Sequence, residues 1–226
     1  MTEDVGPSSD ALRQAADTMR AVRDRCVWTQ QIDHRALVPY LVEESAELID
    51  AVEEGSRAEL REELGDLLWQ VLFHAEIASR DPDDPFDIDD VARGLTDKMV
   101  RRHPHVFGDA VATTPEEVLV HWNAAKAAEK HERTSVLDGV SERMPSLALA
   151  QKLVGKAAQA GVAPAPRSSS DERGDATEHP GPATESELGD ALLALVSTAR
   201  ANGWDAERAL RERLRLLQAE IRAAER

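Results

Sequence analysis

Between residues 43 and 66 the chain carries two acidic clusters, Glu43-Glu44-Ser45-Ala46-Glu47 and Glu63-Leu64-Gly65-Asp66. On an α-helix, residues three apart are separated by only about 60° around the axis, so Glu44 with Glu47 and Glu63 with Asp66 each project from one edge. Both pairs flank an apolar stripe. Carboxylates pressed between helices lose hydration and repel one another, and a shared cation relieves both penalties. Oxygen ligands with no Cys or His interleaved suit Mg²⁺ or Mn²⁺ better than Zn²⁺. Acids on helix faces are more often solvated, or serve the helix dipole in a first turn. Two matched pairs on adjacent helices are what favour the metal reading.

A basic strip follows: Lys98, Arg101 and Arg102, then His103-Pro104-His105-Val106-Phe107. Lys98 and Arg102 are i, i+4 neighbours able to grip one oxyanion, and Arg supplies a planar fork suited to phosphate. The plainer alternative is a surface strip paired with Asp89, Asp90 or Asp97. His103 and His105 could suggest zinc with His121, but the intervening Pro and the lack of thiolates favour turn formation and hydrogen bonding. Further on, Trp122 and Lys126 could stack on a base and touch a phosphate, although a lone Trp on a helix is more often core. The glycine-rich phosphate loop, the dinucleotide fingerprint, the nucleophile elbow and the His-Glu-x-x-His zinc motif are all absent.

These side chains need helices to position them. Apolar residues recur at helical spacing, as in Leu60, Leu64, Leu67, Leu68, Val71, Leu72 and Ala75. The pattern predicts an all-α chain with helices over 11–25, 36–53, 57–80, 87–102, 115–130, 145–160, 185–202 and 205–225. Gly55-Ser56 makes 36–53 and 57–80 an antiparallel hairpin, so the two acidic clusters face each other. Residues 163–184 collapse into Pro, Ser, Gly and mixed charge, a composition that reads as a disordered linker. Beyond it, Glu187-Leu188-Gly189-Asp190-Ala191-Leu192-Leu193 echoes residues 63–69. The second copy lacks a preceding acidic helix and carries Leu216 and Leu217 where the first has Arg101 and Arg102, so it is expected to be catalytically dead.

The chain has 226 residues and a formal charge of −16, a balance that disfavours nucleic-acid polymers and makes any phosphate site local and cation-assisted. The lone Cys26 cannot form an internal disulfide, the polar start shows no export signal, and no apolar run is long enough to cross a bilayer. A cytoplasmic protein without membrane contact is expected. Trp69, Phe73 and Ile77 widen the apolar stripe of 57–80 beyond one neighbour, which predicts a homodimer covering it.

Together, Glu43-Glu44-x-x-Glu47, Glu63-x-x-Asp66, Lys98-x-x-Arg101-Arg102-His103-Pro104-His105-Val106-Phe107 and Trp122-x-x-x-Lys126 resemble the MazG nucleoside triphosphate pyrophosphohydrolases over roughly residues 11–162. The acidic motif is shared across the all-α pyrophosphohydrolase superfamily, and the Arg-Arg-His-Pro-His-Val-Phe run points to MazG itself. The resemblance implies an antiparallel helical bundle that dimerises and cleaves nucleoside triphosphates to monophosphate and pyrophosphate. Magnesium, replaceable by manganese, would sit on Glu44, Glu47, Glu63 and Asp66. Lys98, Arg101, Arg102, His103, Trp122 and Lys126 would contact the nucleotide. Glu43 would orient or deprotonate water, or merely flank the site. The implied layout is a flexible 1–10, a catalytic domain 11–132, a connector 133–162, the linker 163–184 and the degenerate repeat 185–226. Where the family has Cys-Pro-Trp-Asp this chain has Cys26-Val27-Trp28-Thr29, so the lead-in loop has lost a rigid turn and an acid. The rival readings are a di-iron bundle, which would want Glu-x-x-His pairs, and a non-catalytic helical interaction module.

Overall fold

The computed structural model describes residues 10–129, 134–162 and 182–225, and among these it is helical with no strand. The chain divides into two compact units, 1–129 and 130–226. The first unit holds α1 (Ala11–Arg25), a 3₁₀ turn (Thr29–Gln31), α2 (Val38–Glu53), α3 (Arg57–Ala78), α4 (Ile88–Arg102), the short α5 (Pro104–Phe107) and α6 (Pro115–Ala128). The second holds α7 (Ser146–Gln159), α8 (Glu185–Ala201) and α9 (Ala206–Ala224).

Helix starts follow from side chains that satisfy otherwise orphaned N–H groups. Asp10 accepts from Leu12 and Arg13, Thr114 from Glu117, Thr184 from Glu187 and Asp205 from Arg208. Ser56 with Glu59 and Asp87 with Asp90 form reciprocal capping boxes. The turn between α2 and α3 is tight: a Cβ at Gly55 would come within 2.6 Å of the Ala51 Cα, so only glycine fits there without a shift. The crowding atoms belong to the last turn of α2, so the glycine lets the chain leave that helix just before α3 begins.

The core of the first unit joins Ala16 and Met19 of α1, Leu37, and Leu72 and Phe73 of α3, with Trp69, Ile77 and Ile88 packed against it. Phe73 is fully buried and meets Trp28 edge-on with ring centroids 6.3 Å apart. The stripe of α3 expected to need a partner chain is therefore covered at Phe73 from within, because α1 and the Trp28 loop pack over it. Apolar side chains that stay exposed are spread over the unit, and on α2 they include Val42 at 63% and Val52 at 64%.

The predicted helix ends agree with the structure to within two residues. The turn at Thr29–Gln31 and the helix Pro104–Phe107 were not predicted, being too short to show periodicity. Residues 1–9 of the expected flexible start, and 163–181 of the expected linker, lie outside the described residues.

Candidate metal and nucleotide site

The hairpin brings Glu44 of α2 together with Glu63 and Asp66 of α3, with one oxygen from each carboxylate lying within 4.8 Å of the others. Glu44 and Glu63 are half-buried, while Asp66 is exposed. Lost hydration, followed by repulsion from Asp66, Glu47 and Glu43, raises Glu44 above its usual pKa. Glu63 is raised for the same first reason, and then by Glu47 and Asp66. Its Oε2 is buried and has no hydrogen-bond partner among the described residues. Crowded, partly dehydrated carboxylates with an orphaned oxygen are what an oxygen-ligated divalent cation would relieve, so the donor set fits Mg²⁺ or Mn²⁺. Glu47 lies outside this triad but lines the acidic cleft beside it with Asp50, Glu54, Glu59 and Glu63. Glu43 is exposed on α2.

Around the basic strip the partners differ from those the sequence suggested. Asp89 pairs with Arg13 and Asp90 with Arg93, whereas Arg101 and Arg102 both reach Glu129 at the end of α6. Arg102 is nearly buried, with 11% of its side chain exposed, and its guanidinium also lies 5.0 Å from the centre of the Trp122 ring. The Arg102 hydrogen bond, with the charge of both arginines, holds Glu129 below the usual carboxylate range. His103 packs edge-on against Trp122 and bonds through Nδ1 to the Met99 carbonyl. Arg102, His103 and Trp122 thus lock α4 to α6. Lys98 is half-buried on α4 and makes no ion pair with a described residue, and Lys126 is half-buried on α6. The rings of His103 and His105 lie 5.5 Å apart and those of His105 and His121 6.1 Å apart, centre to centre.

The model of the MazG nucleotide pyrophosphohydrolase domain matches residues 32–107, which hold the acids and the basic strip. A protein named nucleoside triphosphate pyrophosphohydrolase from Escherichia coli strain K12 is 33% identical over 230 residues, covering 96% of this chain and 87% of its own. A nucleoside triphosphate pyrophosphohydrolase/pyrophosphatase MazG from Thermotoga maritima is 37% identical over 197 residues, covering 84% and 75%. An uncharacterized 26.1 kDa protein of Streptomyces cacaoi is 48% identical over 214 residues, covering 95% and 82%. The chain belongs to the MazG family.

Two features of this MazG chain escaped the sequence reading. Gln70 is completely buried on α3, and although it leans on Glu44, neither of its amide atoms has a well-formed hydrogen-bond partner among the described residues. His34 and His74 stack face to face with their Nδ1 atoms 2.8 Å apart, so one ring donates to the other. The signal was present: Asp66, Gln70 and His74 recur every fourth residue, a polar line beside the apolar stripe of α3. Glu129 gave no such signal, since its partners lie on a different helix.

Proposed function

We propose that this chain hydrolyses nucleoside triphosphates to the monophosphate and pyrophosphate with a divalent cation, Mg²⁺ in the cell and Mn²⁺ as a substitute, held by Glu44, Glu63 and Asp66 with Glu47 alongside. The observation that carries the metal reading is the triad of carboxylate oxygens with its buried, unpartnered Glu63 Oε2. The family supports the reaction class: the Escherichia coli and Thermotoga maritima relatives bear that activity in their names.

When bound, the cation supplies charge neutralisation at the phosphate oxygens and acidifies water. The chain's own groups do the rest. Glu43, exposed beside Glu44, is positioned to orient a water or take its proton. A P–O bond to the water oxygen forms as the bond joining the α and β phosphates breaks, and the departing pyrophosphate carries the electron pair. Lys98, the cation of the strip without a carboxylate partner among the described residues, is the first group proposed to meet that charge. Arg101, Arg102, His103, Trp122 and Lys126 form the surrounding wall, and Arg102 would reach phosphate only by releasing Glu129.

The exposed apolar side chains of α2 support a homodimer formed by covering that face with a second copy. Among the described residues no helix is long and apolar enough to cross a membrane; a cytoplasmic role in removing unwanted nucleotides is part of the proposal. Anion-exchange analysis of products from a nucleotide panel, with and without Mg²⁺, tests the reaction. Monophosphate and pyrophosphate are expected. Diphosphate and orthophosphate would place the protein in another class.

A further inference from the structure

Resting on the metal reading above, we propose that Gln70 is a positioning residue for the cation site: its buried amide donates to the Glu44 carboxylate and holds it toward Glu63 and Asp66. Gln70 meets neither the nucleotide nor the cation. It acts through Glu44.

Two observations of geometry carry this assignment. The first is position. On α3, Gln70 lies one turn after Asp66 and two turns after Glu63, and a step of seven residues returns a helix to within about 20° of its starting direction. Gln70 therefore continues the row of acids on the face of α3 that meets Glu44 of α2. The second is burial. Gln70 is 0% exposed, and both its amide Nε2 and its Oε1 are shut away from solvent without a well-formed partner among the described residues. A buried amide costs free energy unless its N–H and C=O are met, and an apolar side chain of similar size would fill the space without that cost. The polar group that Gln70 does lean on is Glu44.

The chemistry of the contact follows from its sign. Lost hydration, then repulsion from Asp66, Glu47 and Glu43, pushes Glu44 toward its neutral form, and Gln70 pulls the other way. That is the behaviour of an N–H donor, so the Nε2 side of the amide faces the carboxylate. A neutral donor suits this place. A Lys or Arg at 70 would pair with Glu44 and compete with the cation, and a further carboxylate would add to the repulsion. An amide fixes the carboxylate and leaves its charge for the metal. Glu44 must reach from α2 toward α3 on a flexible side chain, and a donor fixed by burial reduces the freedom lost when it becomes a ligand.

The test uses the full chain and Mn²⁺, whose binding is read directly by electron paramagnetic resonance. Because no turnover is measured, failure of the hydrolase reading would leave this test standing. Gln70→Met keeps the size of the side chain and removes the amide. Its melting temperature without metal is expected to equal or exceed that of wild type, since a buried amide lacking well-formed partners is gone. Its Kd for Mn²⁺ is expected to rise at least about tenfold, the cost of losing a group that orients a metal ligand. Added to Glu44→Gln, the same substitution is expected to change Kd less than about twofold, because the ligand it acts on is already altered. Unchanged Mn²⁺ affinity in Gln70→Met would overturn the assignment, as would equal weakening in both backgrounds, which marks a general loosening of the bundle. Where Gln70→Met does not fold, Gln70→Leu takes its place, and failure of both to fold would show the amide to be a structural group and overturn the proposal. If wild type binds Mn²⁺ no better than Glu63→Gln, the metal reading falls and this inference with it. Tight binding that is lost in Glu63→Gln but kept in Gln70→Met sinks the inference alone.

Discussion

The four letters Glu-Leu-Gly-Asp occur twice, at 63–66 in α3 and at 187–190 in α8, and the two copies have different surroundings. In α3 the motif begins at the seventh helical residue, past the first turn with its free N–H groups. In α8 it begins at the third, and the Glu187 carboxylate accepts the Ala183 N–H at 2.6 Å while Thr184 caps the helix. The helix before α3 contributes Glu44, whereas α7 carries no acid and contributes Lys152 and Lys156. Glu187 therefore has a partner in its own helix start, and Glu63 has a buried oxygen without a hydrogen-bond partner among the described residues. A carboxylate becomes a candidate ligand when the fold withholds every other partner, and motif letters alone do not say whether it has.

The largest expected effect is that of removing the cation. Excess EDTA should abolish turnover, Mg²⁺ or Mn²⁺ should restore it, and Ca²⁺ should do so poorly because its geometry is looser. Mg²⁺ should also raise the melting temperature of wild type but not of Glu63→Gln, since a ligand that binds only the folded state stabilises it. Full activity in EDTA would remove the reason for contrasting the two helices.

Next comes the direct comparison of the copies. Glu63→Gln should lower kcat by about 100-fold or more, as expected when a site loses a ligand to its catalytic ion. Glu187→Gln should change it less than about twofold, on the same grounds. Equal losses in a steady-state assay would mean that α8 holds a working site.

Much of this contrast was legible beforehand. Helix ends could be read because caps are local: Ser56, Asp87, Thr114 and Thr184 each stand where periodicity begins. The Glu44, Glu63 and Asp66 cluster was legible because i, i+3 spacing and a short turn fix helix edges without knowledge of packing. Glu47 fell outside the closest oxygens because a wheel gives direction and not reach. For the basic strip the sequence offered Asp89, Asp90 or Asp97 as partners, for nothing local reveals that Glu129, on another helix, takes Arg102. Gln70 and the His34–His74 pair were missed although Asp66, Gln70 and His74 recur every fourth residue, because spacing shows neither burial nor that His34 meets His74.

Glu129 extends the comparison as an acid met by arginine. Because Arg102 lowers its folded-state pKa, its contribution to stability should be complete above the ordinary glutamate pKa and fade as pH falls through that value toward the folded one. Thermal melts from pH 7 down to pH 3 should show Glu129→Gln less stable than wild type at neutrality, with the gap closing in acid. A constant gap would show that the ion pair contributes nothing. The smallest effect belongs to Glu187→Ala, where loss of the cap-like contact to Ala183 should cost about 0.5 kcal/mol in a denaturant titration.

The close approach at Gly55 has a consequence for how such a site can change over time. One residue added to that turn would advance α3 by about 1.5 Å and rotate it about 100° relative to α2. Both helices would survive, and the apolar stripe could find other neighbours, but Glu63 and Asp66 would no longer meet Glu44. The ligand set is thus inherited whole or lost at a single step, without intermediates that keep half of it. A duplicated hairpin freed from selection would shed its chemistry long before it shed its helices.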